Sequence, residues 1–337
     1  MQSERKGKAV ALYSGGFDST LAILIMMKHG VEVEALKLLT PFACDINDSF
    51  SGDADSSSAA ENFGFNVRLC HLGWKFVEMV KNPEFGYGRN MNPCIDCRIL
   101  MLNEAKAYME NTKADFIITG EVLGQRPMSQ MRSSLNLVTK RCGLEGRLVR
   151  PLSGRLFEPT IPEKEGLIKR EWLLDISGRS RKRQMELAEE FGLGKYPNPA
   201  AGCLLTDKSY SHRLRDLFDH DKNFDLNDLN LLKFGRQFRF SERCKLIVGR
   251  NKGENEAISE LAKDTEMLLE AKETGSPISL IRGEYNEESL KLAASITARY
   301  SDKKYDRKIA VDVCNNSRNF KLDVSPADDV ILNKFRI

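Results

Sequence analysis

The sequence has no long apolar run. Its longest, Leu21–Met27, falls far short of the roughly 18 residues a spanning helix needs, so no membrane association is expected. It has little excess charge: 51 Lys and Arg against 48 Asp and Glu leave a net +3. That balance neither demands nor excludes nucleic acid; local clusters must decide. There is no internal repeat and no low-complexity tract. With 41% hydrophobic and 29% charged residues, disorder is not expected either. The Walker pattern GxxxxGK[ST] is missing, which excludes a P-loop NTPase site. A CxxC pair occurs once, so the usual double-CxxC spacing of structural zinc is absent. The opening MQSERKGKAVALYSGG does not read as a leader, because its apolar stretch runs into a glycine turn and Asp18. A cytoplasmic chain is expected. Its eight cysteines would then be buried, catalytic or metal-bound rather than paired.

What is present is an alternation of short strands and helices across 337 residues, long enough for two domains. Ala9–Tyr13 reads as a strand, Ser19–His29 as a helix closed by Gly30, and Val31–Leu39 as a second strand. A helix follows in the second half of SGDADSSSAAENFG. Strands come at Phe65–Leu69, Phe116–Thr119 and Arg147–Arg150, with a helix at Cys97–Tyr108 between them. This order predicts α/β architecture with a doubly wound parallel sheet, whose ligands bind beyond the carboxyl ends of the strands. YSGG, TGEVLG and the segment after Cys70 would gather there. The composition changes near DHDKNFDLNDLN, which sets a first domain at 1–222 and a smaller α+β domain at 223–337. In the latter FGRQFRFS, CKLIVGRN, SLIRGE and RKIAVDVC read as strands. NEAISELAKDTEMLLEAKE and EESLKLAASITARYS read as helices.

Three features carry chemistry. In SGGFDS, Gly15 and Gly16 let the backbone approach an anion, and the helix starting near Ser19 offers free N–H groups and a positive dipole end. Ser14 and Ser19 add hydroxyl donors. Asp18 suits either a magnesium-bridged triphosphate or helix capping. A plain turn with an N-cap is the simpler alternative. Next, NPCIDC supplies Cys94 and Cys97, and the loop AAGCLLTD supplies Cys203. A CxxC can be a redox pair, half a zinc site or part of an iron–sulfur site. Cys142, Cys70 and His71 have no diagnostic spacing as a fourth ligand. Three cysteines without a clear fourth suit a [4Fe–4S] cluster with one open iron. Cys44, Cys70, Cys142, Cys244 and Cys314 are read as structural. Finally, SGRSRKRQ concentrates Arg179, Arg181, Lys182 and Arg183, and RPLSGRLFEP and IKREW extend the basic character upstream. Such a run is either a solvated face or a phosphate-contacting surface that positions RNA.

SGGFDS resembles the signature of the PP-loop, or N-type, ATP pyrophosphatases, and the likeness extends over most of 8–210. The resemblance implies a Rossmann-like fold of the adenine nucleotide alpha-hydrolase type. It implies cleavage of ATP between its α- and β-phosphates and adenylation of a substrate oxygen. Ser14, Gly15, Gly16, Asp18 and Ser19 would hold the pyrophosphate with Mg2+, and the backbone around Leu36–Leu38 would meet the adenine. TGEVLGQRPMSQ would be a second phosphate-contacting loop, with Gly120, Gln125 and Arg126 as its candidates. Relatives often carry His or Asn followed by Asp there; this chain has Glu121 and Val122.

Adding Cys94, Cys97 and Cys203 makes the chain look like the tRNA thiolation branch. Some of its members bind [4Fe–4S] through three such cysteines, and others use a persulfide pair; retention of all three favours the cluster. Asp18, Cys94, Cys97 and Cys203 are then the expected catalytic set. Residues 240–315 resemble the NFACT-R domain, which implies an RNA-binding module, with Arg250, Asn251 and Asn255 carrying its local signature. The resemblance therefore implies an ATP-dependent tRNA sulfurtransferase that makes thiouridine. Its partners would be tRNA and a sulfur donor, either sulfide or a carrier protein, and a homodimer is left open. Two alternatives stand beside it. One is a PP-loop ligase acting on a small molecule with zinc or no metal; the other is a catalytically silent RNA-binding adaptor.

Overall fold

The computed structural model describes residues 6–42, 56–193 and 203–337, and the chain divides into two compact units, Met1–Thr206 and Asp207–Ile337. The first unit runs β1 (Lys8–Leu12), α1 (Phe17–Lys28), β2 (Glu32–Leu39), α2 (Ser56–Phe63), β3 (Asn66–His71), α3 (Gly73–Lys81) and α4 (Cys94–Thr112). It continues with β4 (Phe116–Thr119), α5 (Arg132–Arg141), β5 (Leu148–Val149), α6 (Ile161–Lys164) and α7 (Lys182–Glu190). The five strands are all parallel in the order β3-β2-β1-β4-β5. This is the doubly wound α/β sheet that the alternation predicts.

The central strand explains its own sequence. In KAVAL the residues after Lys8 are buried on both faces, as expected where helices cover both sides of a parallel sheet. One face packs Ala9 and Ala11 against Leu21, Ile25 and Met26 of α1, together with Leu187 and Ala188 of α7. The other packs Val10 and Leu12 against Leu102 and Ala105 of α4 and Val138 of α5. Helix α1 is buried from Phe17 to Met26 except at Asp18. Its nearly continuous apolar run is therefore a core helix, not an amphipathic one. The order reverses at β1, so a crevice opens between the carboxyl ends of β1 and β4, where such sheets bind ligands.

The second unit comprises α8 (Lys208–His220), α9 (Leu226–Leu231), β6 (Arg236–Ser241), β7 (Cys244–Val248), α10 (Lys252–Leu261), β8 (Met267–Ala271) and β9 (Ser279–Gly283). It ends with α11 (Glu287–Arg299), β10 (Ile309–Cys314), β11 (Asn319–Val324) and α12 (Asp329–Phe335). Its six strands form an antiparallel sheet, β11-β10-β8-β9-β7-β6. Two readings change. MLLEA, expected within a helix, is the strand β8, hydrogen-bonded to β9 and β10. Cross-strand pairing in the middle of a sheet overrides the helix preference of Leu, Glu and Ala. The division between units falls after Thr206, upstream of residue 222. Helix α8 is tied into the second unit: Arg213 donates to the Leu232 carbonyl at 2.8 Å, and Asp216 pairs with Arg239.

Candidate active site

The SGGFDS segment forms the turn between β1 and α1. Gly15 has φ of 73°, a left-handed conformation that favours glycine. Gly16 is the N-cap of α1, and no side chain caps that end. The serines shape the turn. Ser19 Oγ donates to the Gly16 carbonyl at 2.7 Å and lies 3.2 Å from Ser14 Oγ, which accepts from the Gly16 N–H at 3.3 Å. The result is a glycine corner with an uncapped helix start, a geometry suited to an anion.

Asp18 sits in the first turn of α1. Its Oδ2 accepts from Gln125 Nε2 at 2.7 Å and lies 4.0 Å from the Arg181 guanidinium. Its Oδ1 is buried without a hydrogen-bond partner. An orphaned carboxylate oxygen beside an anion corner is a donor for a hard cation such as Mg2+. Gly120 follows β4 and passes directly over this corner. A Cβ there would lie 2.5 Å from the Asp18 carbonyl carbon and the Ser19 nitrogen. Its place in the sequence thus reflects a close approach between two backbones.

Leu36 and Leu38 lie on β2. The last β1 partner on this strand is Leu36, whose carbonyl accepts from the Tyr13 N–H at 3.0 Å. Peptide groups alternate sides along a strand, so that of Leu38 points the same way, beyond the end of β1. This edge borders the corner.

The cysteines approach the same crevice from α4. The helix starts at Cys94, before the expected Cys97, so both lie in its first turn. Asp96 between them accepts from the Glu84 and Phe85 N–H groups at 2.9 and 3.2 Å, anchoring the preceding loop. Cys203 is brought in by two ties: Met91 N–H to the Leu205 carbonyl at 3.1 Å, and Asn90 Nδ2 to the Thr206 carbonyl at 2.7 Å. Burial pushes the Cys97 thiol up to about 12; Arg98 counters this, and the nearby Cys203 and Cys94 add to it. The three thiols therefore share one neighbourhood. No three His, Cys, Asp or Glu among the described residues are placed to hold a single metal ion. The donor set does suit a cluster, in which each thiolate meets its own iron.

Arg126 joins the two halves. Partial burial and the neighbouring Arg98 and Arg181 hold its guanidinium below the usual arginine range, against the pull of Asp18 and Cys94. Glu121, absent from the expected site residues, is the buried anchor of this group. It accepts from Arg150 Nε at 3.0 Å, faces Arg98 Nε at 3.6 Å and accepts from Thr119 Oγ1 at 3.1 Å. Burial raises its carboxyl, but Arg150 and Arg98 outweigh that and hold it below the ordinary value.

The basic run divides. Arg181 turns toward Asp18, while Arg179 and Lys182 are exposed and Arg183 pairs with Glu186 and Glu190 at 3.0 and 3.2 Å. Arg250, in the second unit, is clasped by the buried Glu254. Cys44 lies outside the described residues; Cys142 and Cys244 are buried. No helix among the described residues is long and apolar enough to cross a membrane.

Residues 4–157 match the family described as "Thiamine biosynthesis protein (ThiI)". The first unit is a ThiI-like PP-loop ATP pyrophosphatase domain. Residues 235–336 match the "NFACT protein RNA binding domain", so the second unit carries an NFACT-R domain. A "Probable tRNA sulfurtransferase" of Methanothermobacter thermautotrophicus is 29% identical over 182 residues, 51% of this chain and 42% of that protein. One of Aeropyrum pernix is 29% identical over 212 residues, 62% of this chain and 48% of its own length. The chain thus spans less than half of either. A solved 4-thiouridine synthetase–RNA complex with bound ATP is 22% identical, covers 67% of this chain and 52% of its own, and has a TM-score of 0.37.

Proposed function

We propose that the ThiI-like chain is an ATP-dependent tRNA sulfurtransferase that converts a uridine carbonyl to a thiocarbonyl. One observation carries the reading: beside the glycine corner between β1 and α1, Asp18 keeps one carboxylate oxygen buried without a hydrogen-bond partner, while Gln125 from the loop after β4 holds the other at 2.7 Å. Nucleotide activation would take place there, and the sulfur chemistry at Cys94, Cys97 and Cys203. The relatives named as tRNA sulfurtransferases and the RNA-binding domain match support the choice of substrate.

A pyrimidine carbonyl has no leaving group. Its oxygen attacks the α-phosphorus of ATP, the bond to pyrophosphate breaks, and AMP is left esterified to the base. Sulfide then adds to the activated carbon, AMP departs with the original oxygen, and no net oxidation occurs. The Gly15–Gly16 corner, the start of α1 and Arg126 would carry the charge of the departing pyrophosphate. Asp18 Oδ1 would hold Mg2+, and the edge at Leu38 would meet the adenine. Cys94, Cys97 and Cys203 would ligate a [4Fe–4S] cluster, which when bound supplies an open iron for the incoming sulfur. Arg179 and Lys182 would hold tRNA phosphates.

The test is mass spectrometry of nucleosides from tRNA incubated with anaerobically reconstituted protein, Mg·ATP and sulfide. Thiouridine that depends on ATP is expected. Pyrophosphate release without any thiolated nucleoside would overturn the reading in favour of another adenylated substrate.

A further inference from the structure

The PP-loop aspartate is held by a chain of two amides from a distant helix. Gln184, on α7, is fully buried, and its Nε2 donates to Gln125 Oε1 at 2.9 Å; Gln125 Nε2 donates to Asp18 Oδ2 at 2.7 Å. The direction is fixed from one end. A carboxylate only accepts, so Gln125 must present its NH2 to Asp18 and its oxygen to Gln184. Gln184 must then donate, and its own Oε1 is left buried without a partner. The orphaned oxygen costs free energy, and turning the amide over would not relieve it, because two amide oxygens would then face each other.

We propose that Gln184 is a positioning residue that aims the free Oδ1 of Asp18 at the metal of Mg·ATP. This rests on the nucleotide-binding part of the reading above and is independent of sulfur transfer. Gln184→Met keeps the volume and removes the donor. Gln184→Glu forces Gln125 to turn its oxygen toward Asp18. Calorimetry of ATP binding to the full chain, with Mg2+ and with EDTA, separates the outcomes. Losses of metal affinity of roughly 10–100-fold are typical when a partner behind a ligand is removed. A loss of that size is expected with Mg2+, larger for Glu than for Met, with little change in EDTA. The effect should vanish in an Asp18→Ala background, because Gln184 acts on the metal only through the Asp18 carboxylate. Equal losses in both buffers, or none, would overturn the assignment. A wild-type chain that binds no ATP would overturn the function itself.

A different observation concerns the second unit by itself. A cavity of about 430 Å³ is lined by Arg299, Tyr300, Lys304 and Arg336 and also by Asp302 and Asp329. Arg299 pairs with Asp329 at 3.2 Å. Arg336 donates to the Tyr300 hydroxyl at 2.6 Å, and Arg236 stacks on the same ring at 4.4 Å. Beside it the exposed loop SDKKYDRK presents Tyr305 at 85% exposure, with the Lys304 ammonium 5.1 Å from the ring centroid. Cations interleaved with an open aromatic face suit nucleobases, which stack, better than acidic peptides, which do not.

We infer that this face seats single-stranded RNA, its backbone phosphate at Lys304 and Arg336 and one base on Tyr305. The inference deepens the RNA-directed reading, and binding is measured without turnover, so it fails or survives apart from thiolation. The probe is a fluorescein-labelled oligouridylate titrated by anisotropy against the full chain. Tyr305→Ala is expected to weaken binding roughly ten-fold, in line with the loss of one stacked base. Tyr305→Phe should retain it. Lys304→Gln with Arg336→Gln should lower the salt dependence by about 0.7 per lost contact. Unchanged binding in these variants overturns the inference. So does equal competition by polyglutamate, which would mark a general polyanion surface.

Discussion

Lys245 and Arg282 face each other across β7 and β9 with their charged ends enclosed. The Lys245 ammonium is buried without a hydrogen-bond partner, and so are both terminal nitrogens of Arg282. Only Arg282 Nε is paired, at 2.9 Å from Asp228 and 3.1 Å from Glu266. Burial pulls the Lys245 pKa down to about 8; Asp228 and Asp216 resist this, and Arg239 and Arg282 add to it.

A lysine with a depressed folded pKa carries fewer protons in the folded than in the unfolded chain between pH 8 and 10.5. Stability therefore rises with pH across that window, and the full penalty applies below pH 8. Such a shift corresponds to about 3 kcal/mol. Lys245→Met should stabilise the second unit at pH 7 and flatten the rise toward pH 10. Urea titrations monitored by hydrogen exchange in β7 and β9 check both. A variant less stable than wild type at pH 7 would show that the ammonium is stabilising where it sits.

Gly120→Ala places a methyl group against the backbone of Asp18 and Ser19. Backbone atoms cannot swing aside, so β4 or the PP-loop must move, at a cost of about 1–3 kcal/mol. Thermal unfolding should show the loss, and ATP affinity should fall with it. Wild-type ATP affinity would mean the corner tolerates displacement.

Cys94→Ser and Cys203→Ser remove thiols without touching the PP-loop. Each variant should lose the brown absorbance of the reconstituted protein and thiouridine formation, while Mg·ATP binding stays within about two-fold, as expected for separate sites. A parallel loss of ATP binding would make these cysteines structural.

Arg250→Ala should reduce the stability of the second unit by about 1–3 kcal/mol, because Glu254 is left buried without its charged partner. Chemical denaturation measures this. Arg250→Ala with Glu254→Gln should recover part of the loss.

The sequence made local features legible and long-range pairings much less so. SGGFDS could be read as a phosphate corner because its glycines and hydroxyls act within six residues, and the structure shows that turn. The parallel sheet was legible because apolar runs alternate with helical segments. MLLEA misled because its composition suits a helix, and only its neighbours in the sheet make it a strand. The roles of Glu121 and Gln184 leave no local sign in the sequence for a related reason. Each acts through a partner far along the chain, Arg150 and Gln125 respectively, and no spacing rule connects them. Arg181 and Arg183 looked alike in one basic run, yet one faces Asp18 and the other faces the acids of its own helix.

The position of β1 has a consequence for the order of assembly. It precedes the other four strands of its sheet, yet one of its two neighbours there is β4, and Lys8 N–H bonds to Asp115, 107 residues later. The glycine corner can form locally, but Gly120 and Gln125 reach it only after β4 has docked. Contacts so distant in sequence are slow to form. During synthesis the nascent chain should therefore be unable to retain nucleotide until Gln125 has left the ribosome. ATP would then act as a late clamp on the finished sheet rather than as a template for it.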